Sequence, residues 1–392
     1  MTMAAPSSTQ QRIELPTGTL ELRIDSGAAE ADELLGFAAR ANAKRGFLFL
    51  SKVLGKHWPA SPGAMLAVHE RLAATVPPVD GPVLFIAMAE TAIGLGQGVF
   101  EAWLRAHPAQ QALFLYTTRY RVGAGPLIEF AEAHSHAPRQ FLHEPTDPAL
   151  HALFMAARTV VMVDDEASTG NTFVNLAAAC QRLNPGIERV HLATITNFMG
   201  PAAPGELDAR FGLPATIGAL VDGQFTFAQG PLPPDQGAAQ RFEHDADRGA
   251  SSAFGRLGID HAVPAPTALA ARLAGEFAPG SRVLVLGTGE FMHASTLLGA
   301  ALQQLGVDVV VQSTTRSPIL TWGAVGHALT FPDNYGEGIA NYLYNVAPGQ
   351  YDHVLLCFET APGPALFALA DTLRARLFHF QSEDHVEEVP VR

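Results

Sequence analysis

Lysine is nearly missing from this sequence of 392 residues. Of 25 cationic side chains only three are lysines, Lys44, Lys52 and Lys56, and all fall within thirteen residues. Cations are also outnumbered: 38 Asp and Glu leave a formal net charge of −13, which repels phosphate backbones and excludes a general binder of nucleic-acid polymers. Cysteine is as scarce, with Cys180 and Cys357 each inside an apolar segment. Two such residues exclude a disulfide framework and point to buried thiols in a reducing compartment. The start carries no basic stretch followed by an apolar run, and nowhere do about 18 apolar residues follow one another, so the expectation is a cytoplasmic protein with no membrane partner. Neither G-x-G-x-x-G nor Gly-Lys-[Ser/Thr] occurs, which removes a dinucleotide fingerprint and a Walker loop. What is abundant is apolar sequence, 48% of the chain, enough for the cores of two or three domains of roughly 100–200 residues each.

The pattern predicts an α/β fold. Residues 12–24 place Pro16-Thr17-Gly18-Thr19 between alternating runs and read as a hairpin, and a helix is expected over 30–43. Apolar runs at 83–87, 112–116, 159–163 and 189–196 then alternate with helical stretches, the first of them after a Gly-rich turn at 94–98. That alternation predicts a parallel sheet covered on both faces. Asp222-Gly223 between alternating segments predicts a second hairpin. Residues 230–249, low in long apolar runs, are the best linker, and the βα rhythm restarts at Arg282. Two domains are therefore expected, 1–235 and 236–392.

The segment richest in chemistry is 160–172, VVMVDDEASTGNT. A buried strand ends in Asp164 and Asp165, and a small-residue loop of Ala167, Ser168, Thr169, Gly170, Asn171 and Thr172 opens a helix. Open α/β sheets bind ligands at such a place. Helix N-terminal amides and hydroxyls favour a phosphate, while carboxylates suit sugar hydroxyls or a divalent ion. An acidic strand end that merely caps its helix is the plainer alternative. The stretch 88–98, with Ala89, Glu90 and Thr91, offers glycines for close approach to an anion or for simple packing. Arg119 and Arg121 after the next strand could neutralise charge on phosphate oxygens or serve as surface cations. His134, His136 and His143 invite a metal reading, but no third well-spaced ligand is obvious and no metal site is assigned; acid/base work or substrate contact, with His134 and His136 counted among the substrate-binding residues, is the stronger reading, and surface histidines are the plain one. Lys52 and Lys56 belong to a basic segment that forms either a local positive field or a solvated face. In the second half, Gly287, Thr288, Gly289 and Glu290 form another strand-to-helix turn. Thr315, Arg316 and Ser317 follow a strand, and 341–345 and 358–360 add polar groups at element ends.

The 160–172 segment resembles the PRPP (phosphoribosyl pyrophosphate) motif of type I phosphoribosyltransferases, and the Thr315-Arg316-Ser317-Pro318 tetrad looks like the TRSP domain. Together they resemble the two-domain phosphoribosyltransferase and TRSP proteins encoded with bacterial tellurite-resistance and stress-response clusters. The resemblance implies a type I phosphoribosyltransferase domain with a hood, here including the 222–223 hairpin, followed by a Rossmann-like second domain. It implies that Asp164 and Asp165 hold the ribose hydroxyls, that 167–172 wraps the 5′-phosphate, and that the 88–98 loop holds pyrophosphate with Arg119, Arg121 and Lys52 or Lys56. The activity it implies is Mg²⁺-dependent transfer of ribose 5-phosphate from PRPP to a base-like acceptor, in the making of a nucleoside-like metabolite. The ion would be bound mainly through PRPP. The partners implied are PRPP and a small-molecule acceptor, with a homodimer allowed. A sensor that binds PRPP or a nucleotide without turnover is the rival reading.

Overall fold

The structure, a computed structural model, describes residues 8–42, 45–122, 125–131, 139–201, 203, 205–232 and 249–390. It opens with the expected hairpin, β1 (Thr9–Leu15) and β2 (Gly18–Ser26), turned at Pro16-Thr17. Next come α1 (Ala28–Leu34), β3 (Leu35–Ala39), β4 (Phe47–Ser51), α2 (Pro62–Ala73), β5 (Val83–Ala87), α3 (Ile93–Ala106) and β6 (Ala112–Tyr116). An antiparallel pair, β7 (Leu127–Ala131) and β8 (Arg139–His143), precedes α4 (Pro148–Ala156), β9 (Thr159–Ala167), α5 (Asn171–Leu183), β10 (Arg189–Asn197), α6 (Glu206–Phe211) and β11 (Ala215–Gln229).

Seven of these eleven strands make one sheet in the order β1-β2-β11-β10-β9-β5-β6, parallel from β11 to β6, while β3-β4 and β7-β8 pair separately. Both faces are covered, which is why its central strands are continuous apolar runs rather than alternating ones. Phe85, Phe114, Val161 and Val163 point to one core with Val99, Phe100 and Trp103 of α3. Leu84, Leu115, Val160 and Met162 point to the other, with Phe154 of α4 and Phe173, Leu176 and Cys180 of α5. Burying each such side chain contributes roughly 1.5–3 kcal/mol.

Three local expectations fail for identifiable reasons. The helix expected over 30–43 stops at Leu34, because residues 35–39 pair as β3 with β4. Pairing with the strand that follows outweighs local helix preference. Asp222-Gly223 is no hairpin turn but a bulge inside the single long strand β11, which leaves β10 and continues along β2. Gly223 is needed for close approach, since a Cβ there would sit 2.3 Å from the carbonyl oxygen of Arg23. Residues 94–98 are not a turn either; they lie within α3. A Cβ at Gly96 would meet that of Ala87 at 2.3 Å, and one at Gly98 would strike the His69 ring at 2.0 Å, so these glycines let α3 pack tightly on β5 and α2.

The second half contains α7 (Thr267–Glu276), β12 (Arg282–Gly287), α8 (His293–Gln304), β13 (Asp308–Ser313), the pair β14 (Ala328–Pro332) and β15 (Ala340–Tyr344), β16 (His353–Phe358), α9 (Pro364–Leu373), β17 (Arg376–Phe380) and β18 (Val386–Val389). Its sheet runs β13-β12-β16-β17-β18, parallel except for β18. The linker and the expected boundary at 235/236 fall largely outside the described residues. The two halves are stitched together instead by short backbone bridges. Ala60 pairs with Val311, and Ile259 pairs with Phe114 on the edge strand β6. Ala60 and Met65 of the first half are buried in the core around β12 and β13.

Candidate functional site

In the first sheet the chain runs from β5 outward to β6 and then returns to the other side of β5 as β9. Loops leaving the carboxyl ends of β5 and β9 therefore diverge, and a crevice opens between them. Pairing of the two strands ends at Ala87 and Val163, after which β9 continues along β10 alone and carries Asp164, Asp165 and Glu166 past the end of its neighbour. An Asp164 carboxylate oxygen accepts the Asp165 amide at 2.9 Å, and Asp165 Oδ1 accepts the Thr91 hydroxyl at 2.8 Å. A hydrogen bond thus spans the crevice between the loop after β5 and the acidic end of β9. Glu166 is gripped by Arg45 at 2.6 and 2.7 Å, and burial still pushes its carboxyl up.

Ala167 is buried, and Ser168 to Gly170 turn the chain into α5, with Gly170 at φ 73° as its N-cap. The first-turn amides of α5 have no partner within the helix, and its dipole favours an anion. Arg210 donates to the Thr169 carbonyl, which brings a cation to this loop that the sequence did not single out. A cavity of ≈ 390 Å³ adjoins it, lined among others by Asn197, Met199, Arg210, Ile217 and Asp222. Asp222 is fixed there by Asn197 at 2.9 Å and Ser26 at 2.7 Å.

On the β5 side, the loop at 88–92 is braced by a closed set of hydrogen bonds and includes a cis peptide between Ala89 and Glu90. The Ala89 amide donates to the Thr117 hydroxyl at 2.8 Å, Thr117 donates to Gln140 at 2.7 Å, and the Gln140 amide returns to the Ala89 carbonyl at 3.2 Å. Glu90 then faces cations. Lys56 Nζ lies 2.8 Å from its carboxylate and 2.6 Å from the Gly289 carbonyl. Burial works against the charge on Glu90, yet Lys56, Arg119 and Arg316 together hold its carboxyl down at about 2. Burial also pulls the Lys56 ammonium below the ordinary lysine range.

The second half reaches this crevice with the ends of its own parallel strands. Glu290 accepts the Thr118 hydroxyl at 2.6 Å and the Arg119 amide at 2.9 Å. Arg256 lies fully buried between Glu290, at 3.0 and 3.2 Å, and Glu359, at 2.6 and 2.7 Å. Tyr335 donates to Glu359 at 2.9 Å. Arg316 donates to the Tyr120 hydroxyl and, at 2.6 Å, to Glu337, while Arg40 donates to Ser317 at 2.8 Å. Burial lowers the Arg40 guanidinium to about 10. Thr315 is tied by backbone bonds to Tyr342. The Gly287–Glu290 turn is a junction rather than an open anion cradle: a Cβ at Gly287 would sit 2.2 Å from the Phe291 carbonyl oxygen, Thr288 is buried, and the Gly289 amide is given to Thr314 at 2.9 Å.

Several expected residues are not brought to the crevice. The basic segment is not one positive field, because Lys56 is buried while Lys52 donates at the surface to the Asp32 carbonyl at 2.7 Å. Lys44 lies outside the described residues, as do His134 and His136. Arg121 is exposed, paired with Glu129 at 3.2 Å and laid over the Phe141 ring. His143 is buried behind Tyr120, 3.1 Å from its carbonyl. Arg256, conversely, went unremarked in the sequence. Its only local signal is the flanking pair Gly255 and Gly258, both at positive φ, packed against Phe114, Tyr116 and Leu113.

A family described as phosphoribosyl transferase matches residues 34–224, and the TRSP domain, described as lying C-terminal to that transferase, matches residues 254–373. The chain belongs to the phosphoribosyltransferase–TRSP family. Among solved structures it is similar to the adenine phosphoribosyltransferase of Rhodothermus marinus, at 14% identity over 50% of this chain and 98% of that one, TM-score 0.32. The Trypanosoma brucei adenine phosphoribosyltransferase, in complex with AMP, pyrophosphate and ribose-5-phosphate, gives 11% identity, 54% and 86% coverage and a TM-score of 0.33. The orotate phosphoribosyltransferase of Francisella tularensis gives 13%, 48%, 77% and 0.29. No curated protein matches. The motif residues Asp164 to Thr172 lie in the phosphoribosyltransferase domain, and Arg256, Glu290, Arg316 and Glu359 lie in the TRSP domain. No described helix is long and apolar enough to cross a membrane.

Proposed function

We propose that this phosphoribosyltransferase moves ribose 5-phosphate from PRPP to a base-like acceptor, releases pyrophosphate, and divides the substrate across the sheet. Asp164 and Asp165 hold the ribose hydroxyls over β9, and residues 167–172 with Arg210 hold the 5′-phosphate at α5. Arg119 receives pyrophosphate over β5 and β6, with Lys56 buried behind it adding positive charge. The acceptor occupies the cavity beside Asn197 and Asp222, whose polar lining suits a heterocycle with donors and acceptors on its edge. The contact between Thr91 and Asp165 carries the reading, since it joins the sugar end and the pyrophosphate end at one crevice.

Magnesium is part of the proposal. Among the described residues no group of three or more His, Cys, Asp or Glu is placed to hold a metal, whereas the Asp164–Asp165 pair presents oxygens of the kind Mg²⁺ accepts. The ion would come mainly on PRPP oxygens and supply charge neutralisation for the departing pyrophosphate. The protein's own groups orient the sugar and withdraw the leaving group. In keeping with the resemblance, residues 1–235 carry the transfer, residues 236–392 complete the fold around it, and the product is a nucleoside-like metabolite.

Incubating the full chain with Mg²⁺, PRPP and a mixture of bases tests the reading through release of pyrophosphate. The double variant D164N/D165N is expected to lose turnover; normal turnover in it sinks the assignment. Tight PRPP binding without turnover over every acceptor favours the sensor.

A further inference from the structure

The cations around Glu90 do not come from one domain. Lys56 touches Glu90 and the Gly289 carbonyl. The neighbouring residue Glu290 holds the amide of Arg119. Tyr120, next in sequence, takes a hydrogen bond from Arg316, whose guanidinium also lies over the Tyr120 ring at 4.9 Å. These contacts run in one chain from Glu90 through Lys56, the 289–290 turn, Arg119 and Tyr120 to Arg316. Arg316 adds to the pull of Lys56 and Arg119 that keeps the Glu90 carboxyl low, as the most weakly felt of the three cations.

Arg316 differs from the other buried cation of its domain in how it is paired. Arg256 is sealed, with both carboxylate partners at or below 1% exposure. Arg316 keeps 13% of its side chain open, and its closest carboxylate, Glu337, is 41% exposed. The other acid nearby, Asp333, is 4.0 Å away and committed to the amides of Tyr335, Glu337 and Ile339. An exposed carboxylate rehydrates readily when it leaves, and an arginine fork accepts two phosphate oxygens as well as it accepts a carboxylate.

We propose that Arg316 of the TRSP domain binds the pyrophosphate moiety of PRPP, and that Glu337 is the placeholder anion it gives up when the substrate arrives. The TRSP domain is then half of the pyrophosphate site rather than a separate enzyme. This rests on the reading of the crevice as a PRPP site.

Calorimetry on the full chain, with Mg²⁺ present throughout, uses three probes: PRPP, inorganic pyrophosphate and ribose 5-phosphate. The wild type is expected to bind all three. In R316Q the affinities for PRPP and pyrophosphate are expected to fall about tenfold or more, the usual weight of a charge-assisted contact, with ribose 5-phosphate unchanged within about twofold. E337Q is expected to shift in the opposite direction, tightening PRPP and pyrophosphate by about threefold or more, because the competing anion is gone. A pair that only holds the fold would move both variants the same way. Unchanged PRPP affinity in R316Q, weaker PRPP binding in E337Q, or loss of ribose 5-phosphate binding together with PRPP overturns the inference. If R316Q does not fold, E337Q alone decides by the sign of its shift. A wild type that binds neither PRPP nor ribose 5-phosphate sinks the PRPP reading itself, a result distinct from a wild type that binds and a variant that does not differ.

Discussion

The two ends of the crevice are built differently. At the end proposed for the 5′-phosphate everything comes from one strand, one loop and one helix within Val160–Thr172, with Arg210 added from α6 at the rim of a cavity of ≈ 390 Å³. The end proposed for pyrophosphate takes Lys56, Glu90, Thr118 and Arg119 from the phosphoribosyltransferase domain, and Arg256, Glu290, Arg316 and Glu359 from the TRSP domain. Most of those charges are buried in pairs. The first end is a local device, assembled within one domain. The second exists only when both domains are folded against each other, so stability and function are coupled there and separable at the other end.

The largest expected break of that contrast is R256L. It leaves Glu290 and Glu359 buried without their cation, a situation that costs about 3–5 kcal/mol. Urea unfolding measures it. R256K is expected to recover little, since an ammonium cannot fork to two carboxylates at once. Equal stability of wild type and R256L would mean that the junction does not hold the domains together. A second comparison lies within the lysines. K56M strands the buried Glu90 and is expected to cost about 3 kcal/mol, whereas K52M removes one surface bond to Asp32 and is expected to stay within about 0.5 kcal/mol. Similar losses in both would restore the single basic patch that the sequence suggested.

Acid separates the two ends more gently. Burial depresses His57 and His69 to about 3 and His191 to about 4, so each ring is neutral in the folded protein and protonates on unfolding at higher pH. Between about pH 6.5 and those values the unfolded chain binds more protons. Stability is therefore expected to be full above 6.5 and to fall as pH drops, by up to about 1.4 kcal/mol per pH unit for each ring. Glu90, held at about 2, adds a loss only below its ordinary value near 4.5. Thermal melts from pH 7.5 to 5.5 check the onset; a flat profile over that range contradicts the buried neutral rings.

The same division governs what the sequence revealed. The motif at 160–172 was legible because chemistry and geometry share one stretch of chain: a strand rises, carries two acids past the end of its neighbour, and a glycine-capped helix begins. The parallel sheet was legible for a similar reason, as its strands are short apolar runs that bury both faces. Arg256 was not, because its partners stand 34 and 103 residues away. The glycines at 94–98 and Gly223 misled for one reason. A glycine signals that something comes close, and here it was His69, Ala87 and the backbone of β2 rather than an anion or a turn.

Arg210 supplies the smallest and sharpest test of the comparison. Its guanidinium reaches the Thr169 carbonyl from the rim of the cavity, and among the described residues no carboxylate is paired with it. R210A is therefore expected to change unfolding free energy by about 0.5 kcal/mol or less. Binding should respond more, because the residue places a positive charge beside the loop assigned to the 5′-phosphate. Ribose 5-phosphate and PRPP are expected to weaken by the same factor, about three- to tenfold, while inorganic pyrophosphate is unaffected. That pattern mirrors the one expected for R316Q. If R210A weakens pyrophosphate as strongly as ribose 5-phosphate, the two ends are not separate sites, and the division between a local device and a shared one collapses.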